Sequence, residues 1–318
     1  MGKYAYKMGK EPLKIGWIFP GQGSQFIGMG KDLYEKSGFA RKLYEIADNI
    51  LGFDTKSVVV EGTAEQLNKT KFTQPLIYVT SVILGKVLLD RGIEPFSVAG
   101  HSLGEYSALT ISNSVSFEKG LELVKVRSKS MDMAGKINKG TMAAIVGLDE
   151  EDIQFICSSY KGKGLVVIAN YNSPKQFVIS GTKDAVFETM EKAKDIGARL
   201  AIELKVSGAF HSPLMEPARE ALVRKVESIK FKNPQYPFFN NVDGKILSSG
   251  QKIKSSLVKQ LERPVLWKKS ILEMKKYGVE SFLEVGPGKV LQGLNKRIDS
   301  SLISKGVDSL FKIEALNV

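Results

Sequence analysis

The feature that most constrains this chain is a serine between two glycines, in the motif Gly100-His101-Ser102-Leu103-Gly104. The short apolar run before it, residues 96–100, predicts a buried strand, and residues 103–111 predict a helix. A strand, a sharp turn that carries a serine, and a helix together form a nucleophile elbow, which exposes the serine hydroxyl at the end of a parallel strand. The motif therefore predicts an α/β fold with Ser102 as its nucleophile.

The chain contains only two histidines, His101 and His211. A serine hydroxyl is a weak nucleophile until a base takes its proton, and histidine is the usual base near neutral pH. His101 lies too close to Ser102 in sequence to reach its hydroxyl across a sharp turn, so we expect it to face the substrate pocket. His211 is therefore the candidate base.

Composition argues against several other classes of protein. The single cysteine, Cys157, excludes an internal disulfide, and two histidines argue against a zinc site, so we expect no metal. No run of 18 apolar residues occurs, and residues 1–14 lack the apolar stretch of a signal peptide. We therefore expect no membrane span and a cytoplasmic location.

The formal net charge of +12 raises the question of a polyanionic partner. The lysines are spread along the chain, and no nucleic-acid-binding signature accompanies them, so we expect no nucleic-acid binding. The charge suits instead an acidic protein partner or the phosphates of a nucleotide-bearing substrate. No long exposed apolar repeat is evident, which favours a monomer.

Strands alternate with helices through most of the chain. A first strand over residues 15–19 ends in a glycine loop, and a late strand covers residues 281–285. Helices are predicted over residues 39–51, 74–90, 116–133, 255–261 and 268–276. This alternation favours a mostly parallel sheet with ligands at the carboxyl ends of its strands. Neither a G-x-G-x-x-G motif nor a P-loop is present, which argues against a nicotinamide enzyme or an NTPase.

The segment 140–206 has a different order of elements: strand, helix, strand, strand, helix, strand. The strands are predicted over residues 142–146, 165–171, 177–181 and 199–204, and the helices over 150–159 and 183–196. This order is the ferredoxin-like plan. We expect a small α+β subdomain inserted into a large domain made of residues 1–139 and 207–318, in which residues 1–14 form a basic extension.

Six motifs occur in one order along the chain. They are Gly21-Gln22-Gly23-Ser24-Gln25, Gly100-His101-Ser102-Leu103-Gly104-Glu105, Arg127 on a long helix, Ser207-Gly208-Ala209-Phe210-His211-Ser212, Asn241-Val242-Asp243-Gly244 and Glu284-Val285-Gly286-Pro287-Gly288. In this order they resemble the malonyl-CoA:acyl carrier protein transacylases, over approximately residues 15–308. The resemblance implies an α/β-hydrolase-like large domain with a ferredoxin-like subdomain.

The resemblance also implies a two-step acyl transfer for fatty acid chain elongation. The malonyl group passes from malonyl-CoA to Ser102, and then to the phosphopantetheine thiol of holo acyl carrier protein, with His211 as the base in both steps. The coenzyme A thioester is a substrate, so no permanently bound cofactor is implied.

Particular residues receive roles from the same resemblance. The backbone N–H groups of Gln22 and Leu103 would hold the oxyanion, and the elbow geometry independently favours Leu103. Arg127 would bind the malonyl carboxylate through two parallel charge-assisted bonds. The backbone carbonyl of Gln260 would orient His211, so replacing the Gln260 side chain is expected to be nearly silent.

Three further residues are implied to line the pocket beside the serine: Gln74, Asn170 and Phe210. The position of Phe210 directly before His211 resembles the pattern of malonyl-selective domains, in which the aromatic ring crowds an α-methyl group. Malonyl is therefore expected to be preferred over methylmalonyl.

Three alternatives share some of these features. A serine thioesterase or esterase of the α/β-hydrolase type shares the elbow, but no motif-marked acid lies between Ser102 and His211, as the order of its triad requires. A polyketide-type acyltransferase is a closer alternative, although the chain has no neighbouring synthase domains. A non-catalytic module that docks carrier protein is disfavoured because Ser102, His211 and Gln22 are all present.

Overall fold

The computed structural model describes residues 13–316, which form two β-sheets with helices packed around them. The strands of this part of the chain are β1 (Ile15–Phe19), β2 (Ser97–Gly100), β3 (Thr141–Val146), β4 (Val166–Ser173), β5 (Gln176–Gly181), β6 (Leu200–Glu203), β7 (Phe238–Phe239), β8 (Ile246–Leu247), β9 (Ser281–Val285) and β10 (Ile303–Val307). Most of the expected basic extension falls on residues 1–12, outside the described residues.

The α-helices of the described residues are α1 (Lys31–Lys36), α2 (Gly38–Leu51), α3 (Ala64–Leu67), α4 (Thr70–Asp90), α5 (Gly104–Ile111), α6 (Phe117–Ile137), α7 (Glu150–Ser158), α8 (Lys183–Asp195), α9 (Glu216–Glu227), α10 (Gly250–Gln260), α11 (Trp267–Tyr277), α12 (Val290–Ile298) and α13 (Leu310–Glu314). A short π-helix covers Ser57–Glu61, and a 3₁₀-helix covers Pro213–Met215.

The larger sheet has the strand order β10-β9-β1-β2-β7-β8, and all neighbours are parallel except β7 and β8. Strand β1 is almost entirely buried, as strands covered on both faces of a parallel sheet are. Its last residue pairs with the last residue of β2, Phe19 with Gly100. The glycine loop after β1 and the serine turn after β2 therefore leave the same edge of the sheet. The expected mixed α/β fold with a parallel sheet is confirmed.

The smaller sheet is antiparallel and has the order β4-β5-β3-β6. Helices α7 and α8 pack against it around a separate apolar cluster that includes Ile145, Ile153, Phe177 and Val186. The strands and helices of this segment follow the order that the sequence predicts, with bounds that differ by one or two residues. The sheet is joined to the rest of the chain where Tyr171 and Ala169 exchange backbone hydrogen bonds with Val265.

Helix α4 is the one helix among the described residues that is long and apolar enough to cross a membrane by length and composition. Sequence reasoning relied on uninterrupted apolar runs and did not single it out. In the structure, 78% of its most apolar window is buried, and the helix packs against α5, α6 and β9. Its apolar composition therefore serves the core of the protein.

Several elements differ from the expectation. Helix α4 begins four residues before the predicted start at residue 74, and α10 begins at Gly250 instead of residue 255. Helix α9 was not predicted, because it buries only a narrow stripe, Ala218, Leu222 and Val226, between charged residues. Contacts with α6 stabilise this helix, and the sequence alone does not reveal them.

Candidate active site

Ser102 lies on the turn between β2 and α5, with a left-handed backbone (φ 51°). Gly100 and Gly104, on either side of it, have to be glycines because other backbone atoms lie too close for a side chain. A Cβ on Gly100 would lie 1.8 Å from the carbonyl carbon of Gly104, and a Cβ on Gly104 would lie 2.0 Å from the oxygen of Phe19. The backbone N–H of Ser102 donates to Asn241 Oδ1 at 2.7 Å. The turn is thus held in a conformation that directs the hydroxyl into the pocket.

His211 contacts the Ser102 hydroxyl, with Nε2 2.8 Å from Oγ. Its other ring nitrogen, Nδ1, lies 2.8 Å from the backbone oxygen of Gln260. Because a carbonyl oxygen only accepts, Nδ1 carries the proton and Nε2 is free to accept from Ser102. Burial lowers the pKa of His211 to about 3, and the charge of Arg127 acts in the same direction, against the hydrogen bond to Gln260. The imidazole is therefore neutral at physiological pH.

Arg127 projects from α6 and is 1% exposed. Its Nη1 donates to Gln74 Oε1 at 2.6 Å, and its Nη2 donates to Ser102 Oγ at 3.0 Å and to Gln260 Oε1 at 3.1 Å. Its Nε has no hydrogen-bond partner among residues 13–316, and no carboxylate within those residues forms an ion pair with it. A buried cation with only neutral acceptors favours binding of an anion beside Ser102.

The Gln260 side chain is fully buried and takes part in the site. Its Nε2 donates to the backbone oxygen of Ser102 at 2.9 Å and to Glu105 Oε2 at 2.5 Å, while its Oε1 accepts from Arg127. The expected contact between its backbone oxygen and His211 is present. The expectation that replacing the Gln260 side chain is nearly silent is not compatible with these contacts, because the amide joins three groups of the site.

Glu105 and Asn241 are residues for which sequence reasoning assigned no role. Glu105 is fully buried, and its Oε1 accepts from the backbone N–H of Asn241 at 2.5 Å. Burial raises the pKa of this carboxyl to about 8, while the bonds from Asn241 and Gln260 and the charge of Arg127 act in the opposite direction. The signal available in the sequence was a single charged residue within an otherwise uncharged predicted helix, residues 103–111.

A cavity of about 320 Å³ opens onto Ser102 and His211. It is lined by the sequence-predicted residues Gln22, Gln74, His101, Leu103, Arg127, Asn170 and Phe210, and by residues that sequence reasoning did not identify, among them Met131, Met142, Asn172 and Lys205. His101 Nε2 lies 2.8 Å from Asn172 Oδ1, and its ring packs against Trp267. His101 therefore lies in the pocket wall and makes no hydrogen bond to the Ser102 hydroxyl.

The backbone N–H groups of Gln22 and Leu103, both near Ser102, make no hydrogen bond within residues 13–316. The Gln22 side chain donates to Thr70 Oγ1 at 3.3 Å, and its Oε1 is buried without a partner in the same part of the chain. Gln22 and Leu103 both line the cavity. They can therefore donate to a group bound there.

No cluster of three histidine, cysteine, aspartate or glutamate side chains that would hold a metal ion occurs within the described range 13–316. The chemistry available in the cavity is that of a hydroxyl, a neutral imidazole, a guanidinium and free amide N–H groups. A parallel α/β sheet with a serine at the end of strand β2, and a histidine in contact with its hydroxyl, defines the class of serine-dependent acyl-group enzymes.

Comparison with known proteins agrees with this class. The family model of the acyl transferase domain matches residues 16–305, and the chain belongs to this family. Malonyl CoA-acyl carrier protein transacylase from Bacillus subtilis is 42% identical over 302 residues, 95% of each chain. The protein of the same name from Escherichia coli strain K12 is 41% identical over 296 residues, 93% of this chain and 96% of the relative.

Solved structures resemble nearly the whole chain. An acyl carrier protein S-malonyltransferase from Vibrio cholerae is 40% identical, with a TM-score of 0.91 over 95% of this chain and 99% of its own. A type II polyketide synthase acyl carrier protein in complex with its malonyl-transacylase gives 39% identity and a TM-score of 0.91, covering 95% and 98%. The resemblance inferred from six sequence motifs is confirmed.

Proposed function

We propose that this protein transfers the malonyl group from malonyl-CoA to the phosphopantetheine thiol of acyl carrier protein, through an ester on Ser102, and so supplies fatty acid chain elongation. The observation that carries the proposal is the position of Arg127, a buried cation 3.0 Å from the hydroxyl that His211 contacts. The relatives named as malonyl CoA-acyl carrier protein transacylases support the same reaction.

In the first half reaction, His211 Nε2 takes the proton of the Ser102 hydroxyl as Oγ attacks the thioester carbonyl. The carbonyl oxygen becomes an oxyanion, and the free backbone N–H groups of Gln22 and Leu103 donate to it. The tetrahedral intermediate collapses with loss of the coenzyme A thiolate, which takes the proton from His211. The malonyl group remains on Ser102 as an ester.

In the second half reaction, the phosphopantetheine thiol of holo acyl carrier protein occupies the place of coenzyme A. His211 takes the thiol proton, the thiolate attacks the ester carbonyl, and the same N–H groups hold the second oxyanion. Collapse breaks the bond to Ser102 Oγ, and His211 returns its proton to that oxygen. The enzyme is restored, and the malonyl group is on the carrier.

Arg127 binds the free malonyl carboxylate in this proposal. Gln74 and Gln260 accept hydrogen bonds from its two terminal nitrogens and so fix the plane of the guanidinium. The charge of Arg127 contributes to the low pKa of His211. A bound carboxylate offsets that charge and raises the pKa of the imidazole toward its usual range, so an acidic acyl group makes His211 a stronger base.

The remaining lining residues shape the pocket for the acyl group. Phe210 lines the same cavity as His211, and in this proposal its ring restricts space next to the α-carbon of the acyl group, which favours malonyl over methylmalonyl. Gln74, His101 and Asn170 form polar parts of the wall. The proposed reaction needs no metal and no permanently bound cofactor, since the coenzyme A thioester is a substrate.

The division of the chain follows the two sheets. We propose residues 140–206 as a ferredoxin-like subdomain and residues 1–139 with 207–318 as the α/β-hydrolase-like large domain. The separate apolar cluster of the smaller sheet and its antiparallel strand order support this division. A monomeric state and a cytoplasmic location stay predictions from the sequence.

The main alternative is a serine thioesterase or esterase. A hydrolase of the α/β type places a carboxylate on the second imidazole nitrogen, whereas His211 Nδ1 faces the backbone oxygen of Gln260. This contact and the family membership favour the transferase. Supply of a polyketide pathway uses the same chemistry, and a panel of fatty acid and polyketide carrier proteins as acceptors separates the two roles.

Intact-mass spectrometry tests the proposal. The purified protein is incubated briefly with malonyl-CoA, and then with holo acyl carrier protein. We expect a malonyl adduct that is absent in Ser102→Ala and that moves to the carrier. Ser107→Ala is a matched control, because Ser107 is a buried serine on the adjacent helix α5. Release of malonate without a carrier would instead identify a thioesterase.

A further inference from the structure

Glu105 carries a buried carboxyl group that the proposed reaction does not use. Its two oxygens accept hydrogen bonds from different segments, Oε1 from the backbone of Asn241 and Oε2 from the side chain of Gln260. Both bonds are 2.5 Å long. The Glu105 side chain makes no hydrogen bond to Ser102, His211 or Arg127, so any influence on the reaction through hydrogen bonds passes through its partners.

The orientation of the Gln260 amide is determined by two partners, one of which can only accept hydrogen bonds and the other only donate them. The backbone oxygen of Ser102 only accepts, so it requires the Nε2 of Gln260. The guanidinium of Arg127 only donates, so it requires the Oε1. Glu105, as an acceptor on the Nε2 side, matches this orientation. The carboxyl group, when ionised, therefore holds the Gln260 amide so that the amide oxygen faces Arg127.

We propose that Glu105 is a positioning residue for malonyl selectivity: through the Gln260 amide it fixes the guanidinium of Arg127 in the orientation that binds the malonyl carboxylate. The inference rests on the proposed malonyl transfer. It adds a determinant of selectivity that lies behind the pocket wall and touches neither the acyl group nor the reacting atoms.

The change Glu105→Gln alters one atom and tests the amide orientation directly. The backbone N–H of Asn241 only donates, so it requires the oxygen of the newly introduced amide as its acceptor. The NH₂ group of that new amide then faces Gln260. Two NH₂ groups then face each other. Gln260 relieves this conflict by turning over, which directs its NH₂ group at Arg127 and removes its bond to Ser102. Arg127 then loses one of the acceptors that fix it.

A purely electrostatic role of Glu105 predicts the opposite result. Above its pKa of about 8, Glu105 carries a negative charge, and removing that charge near Arg127 strengthens the attraction of the pocket for an anionic acyl group. In that case Glu105→Gln raises the preference for malonyl. The positioning role predicts that the preference falls, so the sign of the change separates the two.

The experiment measures kcat/KM for malonyl-CoA and for acetyl-CoA with holo acyl carrier protein as acceptor, at pH 9, above the pKa of about 8 of the Glu105 carboxyl. For Glu105→Gln we expect the malonyl to acetyl ratio to fall about 10-fold or more, because hydrogen bonds to charged groups are worth this much. The loss falls on malonyl, since acetyl has no carboxylate for Arg127. An unchanged or increased ratio overturns the proposal.

A double-mutant cycle tests the route through Gln260. Gln260→Met keeps the length of the side chain and removes its amide. We expect Gln260→Met to lower the ratio by itself, and Glu105→Gln to have no further effect on the ratio in that background. An equal further fall in that background overturns the proposal. If Glu105→Gln is too unstable to assay, a wild-type ratio in Gln260→Met overturns it as well.

Glu284→Gln is the matched control for a general loss of stability. Glu284 is also fully buried, and it accepts from the backbone N–H groups of Leu291 and Gln292 and from the Gln292 side chain. We expect it to lower the Tm and to keep the malonyl to acetyl ratio. Failure of the proposed malonyl transfer can be distinguished from failure of the Glu105 proposal, because in the first case the wild-type protein forms no malonyl ester on Ser102.

Discussion

Ser102 and His211 both adopt a left-handed backbone, with φ of 51° and 57°, and their side chains meet with Oγ 2.8 Å from Nε2. Within residues 13–316, Asn113 is the other non-glycine residue with positive φ. A left-handed conformation costs roughly 1–2 kcal/mol for an L-residue, so surrounding contacts have to hold it. Ser102 and His211 are the nucleophile and the base of the proposed reaction, so the contacts that hold their backbones are places to test it.

Asn241 is the support of the serine turn. Its Oδ1 accepts from the backbone N–H of Ser102, and its Nδ2 donates to the carbonyl of Gly100 at 2.7 Å. Asn241→Ala leaves both groups unsatisfied, at about 1–3 kcal/mol each. We expect the rate of malonyl-serine formation to fall about 10- to 100-fold, measured by rapid quench and mass spectrometry.

Asn295→Ala is a control for the loss of a buried asparagine, because the Asn295 side chain donates to Ser304 Oγ and makes no hydrogen bond to Ser102. It should lower the Tm and leave the acylation rate near that of wild type. A wild-type acylation rate in Asn241→Ala would contradict the role of this contact.

Arg127 determines selectivity through two parallel bonds to the malonyl carboxylate. Arg127→Lys keeps a charge but loses the planar pair of donors, so we expect kcat/KM for malonyl-CoA to fall by about 100-fold or more. Acetyl transfer needs no carboxylate contact and should be retained or improved in Arg127→Ala. The measurement is the ratio of the two specificity constants, and an unchanged ratio in both variants would rule out the carboxylate role.

The low pKa of His211 predicts an unusual pH profile. A histidine near its ordinary pKa would lose half of its activity as a base near pH 6.5. Because burial lowers the pKa of His211 to about 3, kcat/KM for malonyl-CoA should stay flat from pH 7 to pH 5. The same pH profile measured with acetyl-CoA as donor is the matched control, because acetyl has no free carboxylate that titrates. An inflection near pH 6.5 with both donors would contradict the prediction.

The same shift affects stability. In the unfolded chain the histidine takes up a proton below about pH 6.5, whereas in the folded protein it stays neutral down to about pH 3. The unfolded state therefore binds more protons in this window, and the free energy of unfolding falls as the pH falls from 6.5 to 3. Urea titrations at several pH values measure it, and His211→Gln should reduce the slope.

Phe210 is expected to exclude an α-methyl group. Its ring lines the cavity directly before His211. Phe210→Ala opens space beside the ester, and the ratio of methylmalonyl to malonyl transfer should rise about tenfold, as one added carbon in a pocket commonly changes selectivity. Val178→Ala, another shortened lining residue, serves as the control. Comparable use of both donors by the wild-type protein would contradict the role of Phe210.

The sequence located the elements that depend on local patterns. The strand before Ser102 and the helix after it were predicted within a few residues, because glycine spacing and apolar periodicity are local signals. Helix α9 was missed, since its narrow apolar stripe is stabilised by packing against α6. Gln260 was predicted to act only through its backbone, and its side chain was found to join Arg127, Ser102 and Glu105.

The sequence by itself determined the chemistry available to this protein: one serine on a glycine turn, one distant histidine and a set of motifs in a family order. The tertiary structure alone decided which groups meet. Gln260 and Glu105 are 155 positions apart, and Asn241 and Ser102 are 139 positions apart, yet each pair is hydrogen-bonded. Local sequence carries no information about such distances, because parallel strands bring remote segments to one edge of the sheet through crossover connections. Burial, which sets the pKa of His211 and isolates Arg127, likewise arises only from the assembled fold.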